Sequence, residues 1–202
     1  MGMIDRESLV TSLHDLGAVQ FGDFTLKSGE KSPVYLDLRL LISRPSALRR
    51  VANTLQAFAA KLEFDRLAGI PMAGLPIAVA LSLAMDRPLI YARPETKKHG
   101  TGREIEGECK SGETVLLIDD VISGGHSKAE SIAVLEAAGL KIKDMLVVVD
   151  REMGGVQQMK ARGYTVHPVL TLSEILDTLE RLGRIQKKQH DEVHKWLEKR
   201  QA

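Results

Sequence analysis

Apolar residues gather in short uninterrupted runs separated by amphipathic stretches. Leu67–Ile70, Pro88–Ala92, Val115–Ile118 and Met145–Val149 are such runs, too short for helices and lacking the alternation of a half-exposed strand. They read as strands buried on both faces. Between them, about Leu75–Met85 and Lys128–Ala138 carry helical spacing, and Gly139 fits the residue just past a helix end. Strand–helix alternation of this kind predicts an α/β domain with a mainly parallel sheet flanked by helices. Before this region, Ile4–Leu16 has helical spacing stopped by Gly17, and Phe21–Leu41 reads as extended with a turn at Ser28-Gly29. A long amphipathic helix is expected from Ser43-Arg44-Pro45 to about Leu62. After Gly163 come a strand-like run, Val166–Leu172, a capped helix, Ser173–Leu182, and a polar helix at about 187–200. There are no internal repeats, and all 202 residues are read as one domain.

One segment breaks the pattern. Pro94–Glu108 is polar, contains Gly100, Gly102 and Gly107, and has no apolar face. Such a stretch between strands reads as a mobile lid, with a solvated hairpin as the plain alternative.

The chemistry concentrates after the third buried run. Val115-Leu116-Leu117-Ile118 leads into Asp119-Asp120, then Val121-Ile122 and the small-residue turn Ser123-Gly124-Gly125-His126-Ser127, where a helix is expected to begin. Ligands of open α/β sheets bind at the carboxyl ends of strands. A Ser/Gly turn before a helix offers backbone N–H groups and a favourable field to a phosphate. Two adjacent carboxylates can accept from sugar hydroxyls or hold a hydrated Mg²⁺. Ser127-x-x-Glu130 is also a capping box, and the turn alone is equally ordinary strand-to-helix chemistry. Adjacent carboxylates repel, however, so packing alone gives no reason for them. Neither G-x-x-x-x-G-K-[ST] nor G-x-G-x-x-G occurs, which argues against a P-loop and a dinucleotide site.

Composition trims the options. Basic residues number 28 and acidic ones 27, so no broad attraction to nucleic acid or anionic lipid arises, and an anionic substrate needs local clusters. Cys109 is the only cysteine, which fits a reducing cytoplasmic setting. No signal peptide is apparent, and no apolar run is long enough for a bilayer. His190 and His194 stand at helical spacing and raise the question of a shared metal, but H-D-E-V-H is not H-E-x-x-H, and a solvated helix face is the reading favoured here.

The acid pair and the turn after it resemble the phosphoribosyl pyrophosphate (PRPP) signature of type I phosphoribosyltransferases. Three other segments narrow the likeness. Phe24–Gly29 with Ser32–Arg39 resembles the N-terminal hood of orotate phosphoribosyltransferases. Arg93-Pro94-Glu95-Thr96-Lys97-Lys98-His99-Gly100 is similar to their catalytic loop, and Asp150-Arg151-Glu152-Met153-Gly154-Gly155 to their D-R-x-x-G-G element. All four stand in the family's order.

The resemblance implies a type I phosphoribosyltransferase fold with a hood (about 1–41 plus C-terminal elements) and a mobile catalytic loop at about 94–108. It also implies Mg²⁺-dependent transfer of ribose 5-phosphate from PRPP to orotate, giving orotidine 5′-monophosphate and pyrophosphate for UMP synthesis. Lys97 is then the catalytic lysine, with Asp119 and Asp120 on the ribose hydroxyls. Lys27, Arg93, His99 and the run Val121, Ile122, Ser123, Gly124, Gly125, His126 and Ser127 join them around PRPP. Lys27, Tyr35, Leu36, Ser123 and Arg151 are implied for orotate, with a structural ion pair as the plain alternative for Arg151. Pro71-Met72-Ala73-Gly74 matches the pyrophosphate loop. No side chain is expected to bind the metal directly, Mg²⁺ being carried mainly by PRPP. A homodimer with lids exchanged between subunits is implied, with no nucleic-acid or membrane partner. Pro94 stands where lysine is common, Lys98 where an acid or neutral residue is common, Ala73 where some members have lysine, and His126 is bulky for its loop. A phosphoribosyltransferase for another base and a non-catalytic PRPP sensor are the alternatives.

Overall fold

The computed structural model describes residues 6–26, 29–94, 104–124 and 126–201, without the side chains at 126, 127 and 201. Six strands form the central sheet: β3 (Arg66–Gly69), β4 (Leu89–Ala92), β5 (Ile105–Glu106), β6 (Thr114–Ile122), β7 (Lys141–Asp150) and β8 (Thr165–Thr171). Their order is β5-β4-β3-β6-β7-β8, parallel except for β5, which runs antiparallel to β4. The continuous apolar runs now have their cause. Along β6, Leu116 and Ile118 join one core cluster while Val115 and Leu117 join another. Each sheet face therefore has its own core, and a strand with two dry faces cannot alternate polar with apolar.

Helices α2 (Pro45–Ala59) and α3 (Gly74–Met85) cover the first face, joined by α1 (Arg6–Asp15), α6 (Leu172–Arg181) and α7 (Lys187–Gln201). Residues of α4 (His126–Ala137) and α5 (Gly155–Ala161) close the second. A hairpin of β1 (Val19–Thr25) and β2 (Lys31–Leu36) forms a separate sheet, the hood. The Trp196 indole of α7 donates to the Lys31 carbonyl at 2.9 Å, and Arg200 pairs with Glu30 while lying over the Trp196 ring. The last helix thus fastens the hood.

Several expectations need correction. β6 runs through Ile122, so Asp119 and Asp120 sit inside the strand's last turn of pleat rather than beyond it. α4 begins at His126, placing Ser127 within its first turn and not at its cap. Residues 38–43 form a 3₁₀ helix, capped by the Asp37 side chain, where extended chain was expected. Part of the polar segment is strand: Ile105–Glu106 pairs with Tyr91 and Ala92.

The strand order reverses direction between β3 and β6: the chain leaves β3 toward β4 on one side and β6 toward β7 on the other. The loops at these two carboxyl ends face each other there. Gly74 sets their spacing, because a Cβ on it would stand 2.7 Å from the Ile118 carbonyl and 2.8 Å from Asp119 Cα. Replacing Gly74 by Ala is expected to destabilise the protein by about 1–3 kcal/mol, the usual cost of overpacking. Gly124→Ala, whose Cβ would meet nothing nearer than 3.9 Å, is expected to leave stability within about 0.5 kcal/mol of the parent. Urea unfolding of the two variants side by side measures the contrast.

Candidate active site

A cavity of about 710 Å³ opens at this switch point, between the hood and the carboxyl ends of β6 and β7. Tyr35, Leu36, Asp120, Val121, Ser123, Gly124 and Arg151 all line it, bringing together residues singled out from three separated motifs. Thr25, Leu26, Asp37, Arg39, Lys128 and Met153 complete the wall.

The two acids of the pair play different parts. Asp119 is 3% exposed, and its Oδ2 lies 2.6 Å from Lys128 Nζ. The same ammonium donates to the Val121 carbonyl at 2.9 Å. Asp119 Oδ1 accepts from the Asp120 backbone N–H at 2.9 Å. Asp120 is the acid on the cavity wall. Burial, then the charge of Asp119 and the contact with it, push the Asp120 carboxyl up to about 7, against the smaller opposing pull of the Val121 N–H and Lys128. Ile122 is fully buried, and its carbonyl accepts from Arg151 N–H at 2.9 Å, so it supports the loop from the core side.

Arg151 faces this acid-bearing strand end from β7's loop. Its Nε and Nη2 are buried with no hydrogen-bond partner among the described residues. Burial lowers its pKa, and the like charge of Arg200 adds to the effect, with Tyr35 opposing. A buried planar fork without a partner is suited to a planar anion such as a carboxylate. Tyr35 is held on two sides: its ring stacks on Phe24 at 5.4 Å, and its hydroxyl accepts from Arg39 Nη2 at 3.0 Å. Arg39 is in turn fixed by Asp37, at 2.6 Å from Nε to Oδ1. The hood wall is therefore braced around Tyr35.

Arg93 is not on the cavity wall. Its N–H donates to the Glu104 carbonyl at 2.8 Å, and its guanidinium lies 3.2 Å from Glu106 Oε1, which ties the chain before the Pro94–Glu108 segment to its far end. Lys27, Lys97, His99 and Gly125 lie outside the described residues, as do the side chains of His126 and Ser127. Reading the sequence missed Lys128 and the Asp37–Arg39 clamp. Lys128 had a signal: a lysine in the first turn of a helix opposes the helix dipole and needs a buried partner to stand there. The clamp had none, since its partners meet only through the 3₁₀ turn.

A larger hollow, about 1020 Å³, lies at the opposite end of the sheet beside Arg66 and Pro88. Its strongest cation, Arg66, is already bound to the Glu113 carboxylate and the Glu108 carbonyl. Arg66, Pro88 and Leu89 place much of it at the amino ends of β3 and β4, so the switch-point cavity is the better candidate.

A family model described as phosphoribosyl transferase domain matches residues 46–164. The orotate phosphoribosyltransferase of Pyrococcus furiosus is 38% identical over 174 residues, covering 85% of this chain and 96% of the relative. The crystal structure of orotate phosphoribosyltransferase from Aeropyrum pernix superposes with a TM-score of 0.76 at 37% identity, covering 88% of this chain and 99% of that one. The uridine 5′-monophosphate synthase of Bos taurus is 44% identical over 193 residues, 95% of this chain but 40% of the relative, so this chain spans about 40% of that protein's length. With most of its length matched by the family model, and with a full-length relative at 38% identity, the chain belongs to the phosphoribosyltransferase family and within it to the orotate phosphoribosyltransferases.

Proposed function

We propose that this chain transfers ribose 5-phosphate from PRPP to orotate, with orotidine 5′-monophosphate and pyrophosphate as products. The observation that carries the reading is Arg151, whose Nε and Nη2 are buried without a hydrogen-bond partner among the described residues, on the wall of a cavity that Asp120 also lines. An orotate carboxylate satisfies Arg151, while Tyr35 and Leu36 cover the ring from the hood. Asp120 meets the ribose hydroxyls from the wall. Asp119 stands behind it, fixed by Lys128, and adds negative potential where positive charge builds at the ribose carbon. The N–H and hydroxyl groups of the turn after β6 take the 5-phosphate.

Mg²⁺ neutralises the leaving pyrophosphate when bound. The residues fit an ion that arrives on the substrate: Asp119 is engaged by Lys128 and Asp37 by Arg39, leaving Asp120 as the open carboxylate on the described wall. Lys97, Lys27, His99 and Arg93 are assigned to the pyrophosphate side, reached as the lid closes, and closure keeps water from the reacting carbon. A homodimer is proposed as well. Val79 and Leu83, one turn apart on α3, are exposed, as is Met72 in the adjoining loop, and a second copy of the chain would cover them. A cytoplasmic setting is supported by the lone, unpaired Cys109. Among the described residues, no helix is long and apolar enough to cross a membrane.

The direct test follows orotate absorbance with Mg²⁺ and PRPP, omitting each in turn. Loss is expected only when all are present, and no loss with orotate alongside loss with another base would refute the substrate assigned. In the same assay Arg151→Ala should raise the orotate KM by roughly 10- to 100-fold, the worth of a hydrogen-bonded charge contact, with a smaller change in PRPP KM. Lys97→Ala should lower kcat by about 100-fold or more, as loss of one transition-state charge contact does, while the orotate KM changes little.

Asp120 supplies a pH dependence. A carboxyl that titrates at about 7 is largely protonated below that pH, and ribose hydroxyls are accepted best by its ionised form. PRPP binding should therefore tighten as pH rises through about 7 and release a proton below it, provided the facing groups, Asp119 and Lys128, keep their charges. Calorimetry in two buffers of different ionisation enthalpy reads the proton; an Asp120→Asn variant should release less, only the share that comes from the PRPP phosphates, and equal proton release by both proteins would sink the assignment.

A further inference from the structure

The polar final helix is less solvated than its composition suggests. His190 and His194 lie one turn apart on α7 and turn their rings toward α6, with ring centroids 4.3 Å apart. Both Nε2 atoms converge on one oxygen, Asp177 Oδ1, at 2.9 and 3.2 Å. Both rings are mostly buried, at 17% and 28% exposed, while Asp177 is 65% exposed at the solvent edge of the group. Among the described residues this is the one group of three or more His, Cys, Asp and Glu side chains whose ligand atoms all lie within 4.8 Å of one another.

The structure points to a divalent transition-metal site formed by Asp177, His190 and His194, which we propose as a clasp between α6 and α7. Around a tetrahedral ion with bonds of about 2.0–2.1 Å, neighbouring ligand atoms stand roughly 3.3 Å apart. The two spacings to Asp177 Oδ1 are close to that value and all three ligand atoms lie within 4.8 Å of one another, so ring and carboxylate rotations would seat an ion. Two imidazoles and one carboxylate select zinc, cobalt or nickel over magnesium or calcium, which prefer all-oxygen shells. The outer contacts also suit a metal. His190 Nδ1 lies 3.0 Å from Asp191 Oδ1, and a proton held there leaves the Nε2 lone pair free for the ion. Three protein ligands leave a fourth position for water.

Position gives the clasp its consequence. Beyond His194, the same helix carries Trp196 onto the Lys31 carbonyl and Arg200 onto Glu30, and Arg200 lies close enough to Arg151 to lower its pKa. An ion at the α6–α7 contact would fix the helix that fastens the hood. This inference stands apart from the transferase reading, since none of its residues lines the switch-point cavity.

The test uses the full chain without a histidine tag, stripped with chelator and then titrated with Zn²⁺ alone by calorimetry. One ion per chain is expected, and saturating Zn²⁺ should raise Tm by about 5 °C through linkage of binding to folding. Asp177→Asn keeps the shape of an exposed side chain, and His194→Gln removes one ligand; each should weaken Zn²⁺ binding at least about tenfold and abolish the Tm rise. His167→Gln, at a histidine paired elsewhere with Asp144, should leave both unchanged. Circular dichroism of the stripped variants confirms folding, and Asp177→Asn carries the test alone if His194→Gln misfolds. Absence of Zn²⁺ binding, or equal binding by the parent and Asp177→Asn, would overturn the clasp.

Discussion

The ion pair between Asp119 and Lys128 is the contact on which the rest of the site depends. It joins the end of β6 to the first turn of α4 across 2.6 Å, with both side chains almost wholly buried. Because the ammonium also binds the Val121 carbonyl, one lysine holds both the strand's last residues and the start of the helix. The turn between them is therefore tied at both ends. A buried pair of this kind is no strong source of net stability, since desolvation offsets its Coulomb attraction. Its value is positional: removing either partner strands a charge in the interior, so alternative paths for the turn are disfavoured. Gly74 then rests directly on Asp119 Cα, which places the β3 loop relative to the same fixed point.

From that anchor the charges of the cavity follow. Asp119 satisfies Lys128, and among the described residues the acid beside it forms no ion pair of its own. Asp120 consequently has a carboxyl that burial and its neighbour keep partly protonated near neutral pH. On the same wall Arg151 has the opposite difficulty, a largely buried cation with two nitrogens unpartnered among the described residues. The two groups do not relieve each other. Each keeps its capacity for a ligand, and the cost of holding them apart is met during folding, which is what makes such a site preorganised. A ligand with hydroxyls at one end and a carboxylate at the other answers both.

Much of this was legible in the sequence. The strands β3, β4, β6 and β7 announced themselves because burial on both faces leaves no room for polar alternation. The acid pair was legible because adjacent carboxylates have no packing rationale. What escaped was local structure too short or too tertiary to leave a pattern. β5 is two residues long and lies inside a polar stretch, so only its pairing with β4 defines it. α5 spans seven residues, too few for a periodicity to show. The distinct parts of Asp119 and Asp120 were hidden as well, since only the position of Lys128 on the helix decides which acid is engaged.

The hood shows how far apart in sequence the controlling contacts lie. Tyr35 is positioned by Phe24 across the hairpin and by Arg39 beyond it, so the wall facing the cavity is stiff within itself. Its attachment to the body is another matter, and here α7 contributes through Trp196 and Arg200. Arg200 is a cation brought near a cation, which only makes sense if its own partners, Glu30 and the Trp196 face, already hold it. The residual field at Arg151 then favours an anion more strongly than Arg151 alone would. Whatever holds α7 against α6 therefore also holds this second cation near Arg151.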